Sequence, residues 1–283
     1  MTVKQAANVL DLFEFFARTR RPATLSEIAQ TFGWPRSSTF NLVGTLVERG
    51  FLYEPKTRGG YYPTPRWLSM AETIASAEPL PESLHGLLVD LARTSGETAH
   101  VAAAAGLSVV FVDVVESQSD IRYFATIGKR IPIQAAATGR AILAQYSPAA
   151  RTAILKKVRY ERYQPSSPMS AEEVETEIVA SMARGWFQSQ TEFTPDVMGV
   201  GVPLPIAGRR LSIAVGGPTF RLAPRLPEMG AMLRETVSCY LTAHSADLNP
   251  GAVDRKFTTV HKTAHPDELS AEPAVLRRRK QKA

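Results

Sequence analysis

The stretch "GWPRSSTFNLVGTLVERGFL", residues 33–52, carries two different surfaces on one predicted helix. Pro35 stands where the first turn of a helix tolerates proline, and Gly50 follows the last apolar residue as a stop signal. Short polar and cationic side chains crowd the first two turns and form one surface. The other surface is apolar, recurs at helical spacing and is predicted to be buried; it comprises Phe40, Leu42, Val43, Leu46 and Val47.

The segments on either side of this helix predict a small helical unit that ends in a hairpin. Residues 5–18 place apolar groups at helical spacing, and "LSEIAQTFG", residues 25–33, predicts a short helix that Gly33 ends. After residue 50, "FLYEPKTRGGYYPT" predicts a strand, a glycine-bearing turn and a second strand. Two short helices joined by a tight turn and followed by a hairpin are the layout of a winged helix-turn-helix, whose second helix enters the major groove of DNA.

The predicted DNA contacts are the polar groups of that helix and the cations of the hairpin tip. The N-terminus of a helix offers free N–H groups to phosphate, while Arg and Asn match the edges of guanine and adenine. The glycines at the tip are expected to let the backbone approach the duplex. Taken alone, the helix also allows a plainer interpretation, in which serines cap it and the arginine is solvated. The predicted contacts are Arg36, Ser37, Ser38, Thr39, Asn41, Lys56 and Arg58.

The formal net charge of +6 is concentrated at the two ends of the chain. Residues 1–78 carry nine Lys/Arg against seven Asp/Glu, residues 79–248 carry sixteen of each, and residues 249–283 carry eight against four. Basic ends favour a polyanionic partner, whereas the balanced middle is typical of a globular unit. Residues 248–283 are polar, end in "RRRKQKA" and are predicted to form a basic disordered tail.

Several features predict a cytoplasmic protein with no membrane partner. No apolar run approaches the roughly 18 residues of a membrane span, and the N-terminus predicts an amphipathic helix instead of a signal peptide. The single cysteine, Cys239, excludes an internal disulfide and a zinc site.

The second half of the chain predicts an α+β unit in which hairpins alternate with helices. A strand pair is predicted around Gly106, a third strand within "IRYFATIGKRIPI", and a hairpin that turns at Ala207–Gly208. Helices are predicted over "LHGLLVDLARTSG", "ATGRAILAQYSP" with Pro148 as terminator, "SAEEVETEIVASMARG" and residues 224–246. The two prolines of "EPLPES" mark the boundary between halves. The predicted domains are a winged helix-turn-helix at 1–64, a linker helix at 65–83, the α+β unit at 84–247 and the tail at 248–283.

No catalytic or metal-binding motif is present, so we expect no catalytic residues, no metal and no cofactor. HExxH, CxxC and GxSxG are all missing, and the five histidines, His85, His100, His244, His261 and His265, are isolated along the sequence. His100 lies in an Ala/Val-rich strand and is interpreted as a packing residue. An enzyme with scattered site residues on the α+β unit stays open as an alternative.

Taken together and in their order along the chain, these motifs resemble those of the IclR-type bacterial transcription regulators. The winged helix is similar to the DNA-binding half of that family. The segments "LHGLLVDLARTSGETAHVAA", "VVFVDVVES", "IGKRIPIQAAATGRAILA" and "IAVGGPTFRL" are similar to its GAF-like effector-binding half. The resemblance implies a homodimer or dimer of dimers that binds a double-stranded operator near a catabolic gene cluster. It also implies a response to a small organic acid or aromatic metabolite. A DNA-binding protein that needs no ligand is the remaining alternative.

The resemblance also implies positions for an effector site. In the family, backbone N–H groups before "GRAILA" hold the anionic end of the ligand, which here implies Ala137, Thr138 and Gly139. A polar or acidic residue is expected within "SQTEF", at Gln190, Thr191 or Glu192. Two facing strands contribute Val202, Ala214 and Gly216, where the family commonly has hydroxyl or thiol groups. Those small, apolar residues predict more room and fewer donors, and hence a bulkier, more apolar acid.

Overall fold

The computed structural model describes residues 3–56, 59–77, 80–206 and 208–244. Its internal contacts divide the chain into two compact units between Leu80 and Pro81. That division falls within the segment 65–83, which the sequence predicts as a linker. The predicted tail lies outside the described residues.

The first unit has the winged helix-turn-helix order that the sequence predicts. Thr24 caps the second helix, because its side chain accepts a hydrogen bond from the backbone N–H of Glu27, and Gly33 ends it with a φ of 64°. The elements are α1 (Lys4–Thr19), α2 (Leu25–Phe32), α3 (Arg36–Glu48), β1 (Leu52–Tyr53), β2 (Tyr62–Pro63) and α4 (Arg66–Ala77).

A small aromatic and aliphatic core fixes α3 against α1 and α2. Val43 and Leu46 of α3 are buried in this core and the half-buried Leu42 packs against it, while Phe40 and Val47 are exposed, so the predicted burial of these two is wrong. The buried arc of α3 is therefore narrower than its apolar pattern indicates. The core residues are Leu12, Phe15, Phe16, Ala23, Ile28, Val43, Leu46 and Leu52.

The second unit is built around one antiparallel sheet, whose strands are not arranged in their order along the chain. Its elements are α5 (Glu82–Ser95), β3 (Thr98–Ala105), β4 (Ser108–Val115), β5 (Arg130–Pro132), α6 (Ala137–Leu143), α7 (Pro148–Leu155), α8 (Ala171–Arg184), β6 (Phe187–Gln190), β7 (Val197–Ile206), β8 (Arg209–Pro218), α9 (Thr219–Leu222) and α10 (Leu226–Ala243). The strands follow the order β5-β4-β3-β8-β7-β6 across the sheet. The predicted α+β class is confirmed.

Local signals explain most of these boundaries and one error. Ser170 caps α8, whose first turn holds Glu172 and Glu173, as predicted. Pro148 does not terminate a helix: it is the first residue of α7, and the side chain of Ser147 caps that helix. Proline disrupts the interior of a helix because it lacks an N–H and its ring clashes with the preceding turn, so it can mark a helix end. It also fits the first turn, where that N–H is not needed, and this is the role of Pro148.

In the second unit, the strand predictions hold for the two long hairpins and are incomplete for the short strands. The β3–β4 and β7–β8 hairpins are confirmed, and Gly208 turns the latter with a φ of 73°, while Ala207 lies outside the described residues. The predicted third strand shrinks to Arg130–Pro132, and β6 was not predicted. Four residues of mixed polarity, "FQSQ", carry too little pattern to be recognised.

Candidate functional site

The exposed surface of α3 presents most of the polar residues that the sequence selects. Arg36, Ser37, Ser38 and Asn41 are all exposed. Arg36 donates a hydrogen bond from Nη2 to the Ser26 hydroxyl at 3.0 Å, which joins the start of α3 to α2. The guanidinium stays accessible to solvent, so this part of the helix is free to meet a partner.

Thr39 does not belong to that surface. Its side chain is fully buried, and its hydroxyl donates to the carbonyl of Pro35 at 3.1 Å. Thr39 lies four residues before Val43 and seven before Leu46, so all three share the face that packs on the core. The prediction that Thr39 contacts DNA is therefore wrong for this conformation.

The hairpin tip exposes Lys56, while the predicted contact Arg58 lies outside the described residues. Gly60 serves the fold: with a φ of 90°, its Cα lies so close to Ala23 that an added Cβ would stand 2.5 Å from the Ala23 carbonyl. Tyr61 and Ala23 exchange backbone hydrogen bonds at 2.8 and 3.0 Å. Gly60 therefore allows close contact with Ala23 of the same chain, whereas the sequence predicts an approach of the hairpin glycines to DNA.

The second unit encloses a cavity between α6, the sheet and two surrounding loops. Its volume is about 40 Å³, enough for a few water molecules, and one side opens to solvent. Five predicted residues line it: Ala137, Thr138, Glu192, Ala214 and Gly216. The other lining residues are His100, Phe111, Tyr123, Ile131, Ala135, Ala136, Ser189, Phe193, Thr194, Val197, Met198, Gly199 and Val215.

Two predicted effector residues do not line this cavity. Val202 pairs with Ile213, whereas its neighbour Gly201 pairs with Ala214. Because successive strand residues point to opposite faces, Val202 points away from the face that carries Ala214. Gly139 is a packing position, since an added Cβ would stand 1.9 Å from the carbonyl oxygen of Ile133.

His100 forms part of the cavity wall, which corrects its interpretation as a satisfied packing residue. Its Nε2 lies 3.0 Å from the Thr138 hydroxyl, and its ring packs on Phe111 with centroids 4.1 Å apart. Its Nδ1 is buried without a hydrogen-bond partner in the described part of the chain. Burial, assisted by the charge of Lys129, lowers the pKa of His100 to about 3, so the ring is neutral at physiological pH.

Tyr123 fills the room that Gly216 leaves. Its Cδ1 lies 3.2 Å from the position of a Cβ at Gly216, and burial raises the pKa of its hydroxyl to about 12. Lys129 packs over the ring, with Nζ 4.4 Å from the centroid, and burial lowers the pKa of this amine. The small residues of β8 thus accommodate a protein ring.

Hydroxyl donors reach the cavity from elements outside the two predicted strands. Thr138, Ser189, Thr194 and Tyr123 all line it. The expectation of few donors is therefore wrong. It followed from comparing β7 and β8 alone, whereas α6, β6 and the loops after β4 and β6 supply the hydroxyls.

Glu192 lines the cavity while its charge is already compensated. Its two carboxylate oxygens accept from the guanidinium of Arg140 at 2.5 and 3.0 Å. The alternative candidates Gln190 and Thr191 are absent from the cavity lining. A cavity whose charged wall residue is paired, and whose His and Tyr are neutral, presents neutral donors and acceptors to a ligand.

The described residues also limit other kinds of site. They contain no group of three or more His, Cys, Asp and Glu side chains placed to hold a metal ion. None of the helices described is long and apolar enough to cross a membrane.

A winged helix with an exposed, polar second helix, in one chain with an α+β unit that encloses a polar cavity, defines a ligand-responsive DNA-binding regulator. The chain belongs to the IclR family of bacterial transcriptional regulators. The family model for the IclR helix-turn-helix domain matches residues 5–55, and that for the IclR C-terminal region of bacterial transcriptional regulators matches residues 73–239.

Individual relatives are distant but extend over most of the chain. The HTH-type transcriptional regulator BhcR of Paracoccus denitrificans is 26% identical over 223 residues, which cover 78% of this chain and 80% of BhcR. The transcriptional repressor IclR of Escherichia coli is 25% identical, covering 82% and 86% of the two chains. The crystal structure of an IclR homologue from Microbacterium hydrocarbonoxydans, complexed with 4-hydroxybenzoate, is similar in fold. Its TM-score is 0.64 at 20% identity, with 84% of this chain and 99% of that chain covered.

Proposed function

We propose that this regulator binds an operator through Arg36, Ser37, Ser38 and Asn41 of α3 and through Lys56 of the hairpin. Arg36 and Asn41 have the donors that match base edges, and the serine hydroxyls and Lys56 suit phosphate oxygens. The exposure of these side chains on one helix supports the assignment. The predicted site of action is a promoter of a catabolic gene cluster in the cytoplasm.

We further propose that the effector is a small organic acid with a hydroxyl or carbonyl group on an apolar or aromatic body. The observation that carries this choice is His100, whose buried Nδ1 has no described partner on the cavity wall. Such an atom is costly to leave unsatisfied, so a ligand that bonds to it gains affinity. The rings of Phe111 and Tyr123 suit an apolar body, and the first N–H groups of α6, at Ala137 and Thr138, suit its carboxylate.

Selection of duplexes from a random-sequence pool by the full chain provides an operator for the first test. Affinity for the selected duplex should fall steeply as salt rises, because phosphate contacts release counterions. An affinity that does not change with salt, or failure to enrich any sequence, would refute the DNA-binding assignment.

The effector is tested by thermal shift of the full chain with glyoxylate, pyruvate, benzoate and 4-hydroxybenzoate. At least one acid should raise Tm and change operator affinity, since a ligand bound only by the native state stabilises it by about 2.7 kcal/mol at a hundred times its Kd. Ala214→Leu places a larger side chain in the cavity and should abolish the shift. Ala149→Leu, on an exposed residue of α7, should retain it.

A shift that persists in Ala214→Leu would place the ligand elsewhere. The same samples test for catalysis: the proposal expects the acid to be recovered unchanged after prolonged incubation, and turnover would favour the enzyme alternative.

The proposed assembly is a homodimer or a dimer of dimers. The exposed apolar residues Leu68 and Ile74 of α4, at 63% and 67% exposure, support association through this helix. Light scattering after size exclusion should give twice or four times the chain mass of 30.9 kDa. A monomer at micromolar concentration would contradict the assembly.

A further inference from the structure

Phe40 places a large apolar ring in solvent on the face of α3 that the proposed function directs at DNA. Its side chain is 63% exposed. On a helix, Phe40 neighbours Ser37 three residues before it and Gly44 four residues after it, and it also neighbours the core residue Val43 three residues after it. The ring therefore stands at the edge of the exposed polar surface, with Ser37 and Gly44 on its solvent side.

Gly44 adds a second feature that the fold does not explain. It lies in the interior of α3 and is exposed, and a Cβ built on it would meet no atom within 4 Å. Its backbone is helical, so no left-handed conformation requires glycine. Glycine weakens a helix interior relative to alanine, and nothing within the described chain gives it a compensating role.

The exposed ring of Phe40 and the bare backbone at Gly44 together suit contact with base edges in the major groove of DNA. Apolar side chains such as Phe contact the C5-methyl group of thymine, which adenine, guanine and cytosine lack. Bare backbone at Gly44, one turn away, shortens the distance to which α3 can approach the base pairs. The neighbouring guanidinium of Arg36 and the hydroxyl of Ser37 suit a polyanion better than they suit an apolar protein partner.

We propose that Phe40 reads thymine through its C5-methyl group and that Gly44 allows α3 to sit deep enough for this contact. The inference rests on the proposed binding of DNA through α3, and it adds a specificity for thymine beside Phe40. The alternative is that the Phe40 ring contacts another protein surface.

Deoxyuridine gives a direct test, because it removes the methyl group of thymine and keeps its hydrogen-bonding edge. The full chain and its Phe40→Ala variant are titrated with the selected operator duplex, in which each thymine is replaced in turn by deoxyuridine. One position per half-site should weaken wild-type binding about fourfold, the factor that burial of one methyl group gives. Phe40→Ala should bind the two duplexes equally at that position.

Phe220→Ala is the matched control, since Phe220 is 67% exposed in the second unit. It should retain the wild-type response to deoxyuridine. If the ratio of affinities at every position is the same for wild type and Phe40→Ala, the thymine contact is refuted. If Phe40→Ala instead changes the sedimentation of the protein without DNA, the ring serves association and the inference is refuted as well.

Gly44→Ala tests the close approach. The variant should melt at a higher temperature and bind the operator several-fold more weakly, a combination that general damage to the fold does not produce. Gly86→Ala is its control, because Gly86 is an exposed interior glycine of α5 with no atom within 4 Å of a built Cβ. It should gain stability with no change in operator affinity.

Unchanged operator affinity in Gly44→Ala would remove the role of Gly44. Failure of the wild-type protein to bind any selected duplex would refute the proposed function itself. Tight binding without any response to deoxyuridine would leave the proposed function intact and refute only the thymine contact.

Discussion

Arg140 and Glu192 form an ion pair with two hydrogen bonds within the second unit, although they are 52 positions apart in the chain. The Arg140 side chain is fully buried, and Glu192 is 14% exposed. Arg140 also donates to the backbone carbonyls of Gln134 and Gln188. This single guanidinium thus joins the segment before α6, strand β6 and the loop after β6 that contributes to the cavity wall.

Glu192→Gln should destabilise the second unit by about 3 kcal/mol, because it leaves a buried guanidinium without its counter-charge. Urea unfolding of the full chain measures the change. Glu228→Gln, which breaks an exposed pair with Arg225, is the control and should cost less than about 1 kcal/mol. A cost below 1 kcal/mol for Glu192→Gln would show that water already compensates Arg140.

The free energy of unfolding should contain a contribution from His100 that falls as pH falls. Burial lowers its folded-state pKa to about 3 from its ordinary value of 6.5. Below pH 6.5 the unfolded chain therefore binds a proton that the native state refuses until about pH 3. The loss has a slope of up to about 1.4 kcal/mol per pH unit within that window, and none of it appears above pH 7.

His100→Gln should flatten the pH profile in that window while carboxylate titrations continue in both proteins. Chemical denaturation at a series of pH values between 7 and 4 compares the two slopes. Parallel profiles for wild type and His100→Gln would mean that the ring is hydrated in the native state.

Arg36→Ala should weaken specific operator binding by about 1–3 kcal/mol and relax the base preference at one position, with Tm unchanged. Gel-shift titration against selected and single-substituted duplexes measures both effects. Wild-type affinity in the variant would remove Arg36 from the contact surface.

Thr39→Val, three residues further along α3, should behave in the opposite way. Its hydroxyl bonds the Pro35 carbonyl inside the core, so the variant should lose about 1 kcal/mol of stability and keep its operator affinity. A large loss of affinity in a fully folded Thr39→Val protein would restore Thr39 as a DNA contact.

Gly139→Ala should destabilise the second unit by several kcal/mol, because the added Cβ would meet the Ile133 backbone, which cannot move as a side chain can. Thermal unfolding of the full chain provides the measurement, with Gly86→Ala as the control that gains stability. Normal stability combined with loss of effector response would instead mean that Gly139 acts in ligand binding.

The sequence alone determined the class of each unit and most of the element boundaries. Pro35, Gly33, Ser170 and the alternating β7–β8 segment act through backbone conformation and capping within a few residues, so their effect can be seen without the fold. The family resemblance likewise follows from the order of motifs. The positions Ala137, Thr138, Glu192, Ala214 and Gly216 were placed at the cavity through that resemblance, and all five line it.

Only the tertiary structure decided which side of each element faces the core and which distant groups meet. Thr39 and Phe40 are adjacent, and the packing of α3 on its neighbours buries the first and exposes the second. Tyr123 reaches the cavity from a loop that has no periodic pattern, and His100 gains its unpartnered Nδ1 there. Such contacts depend on chain segments that are far apart in sequence, where local propensity carries no information about pairing.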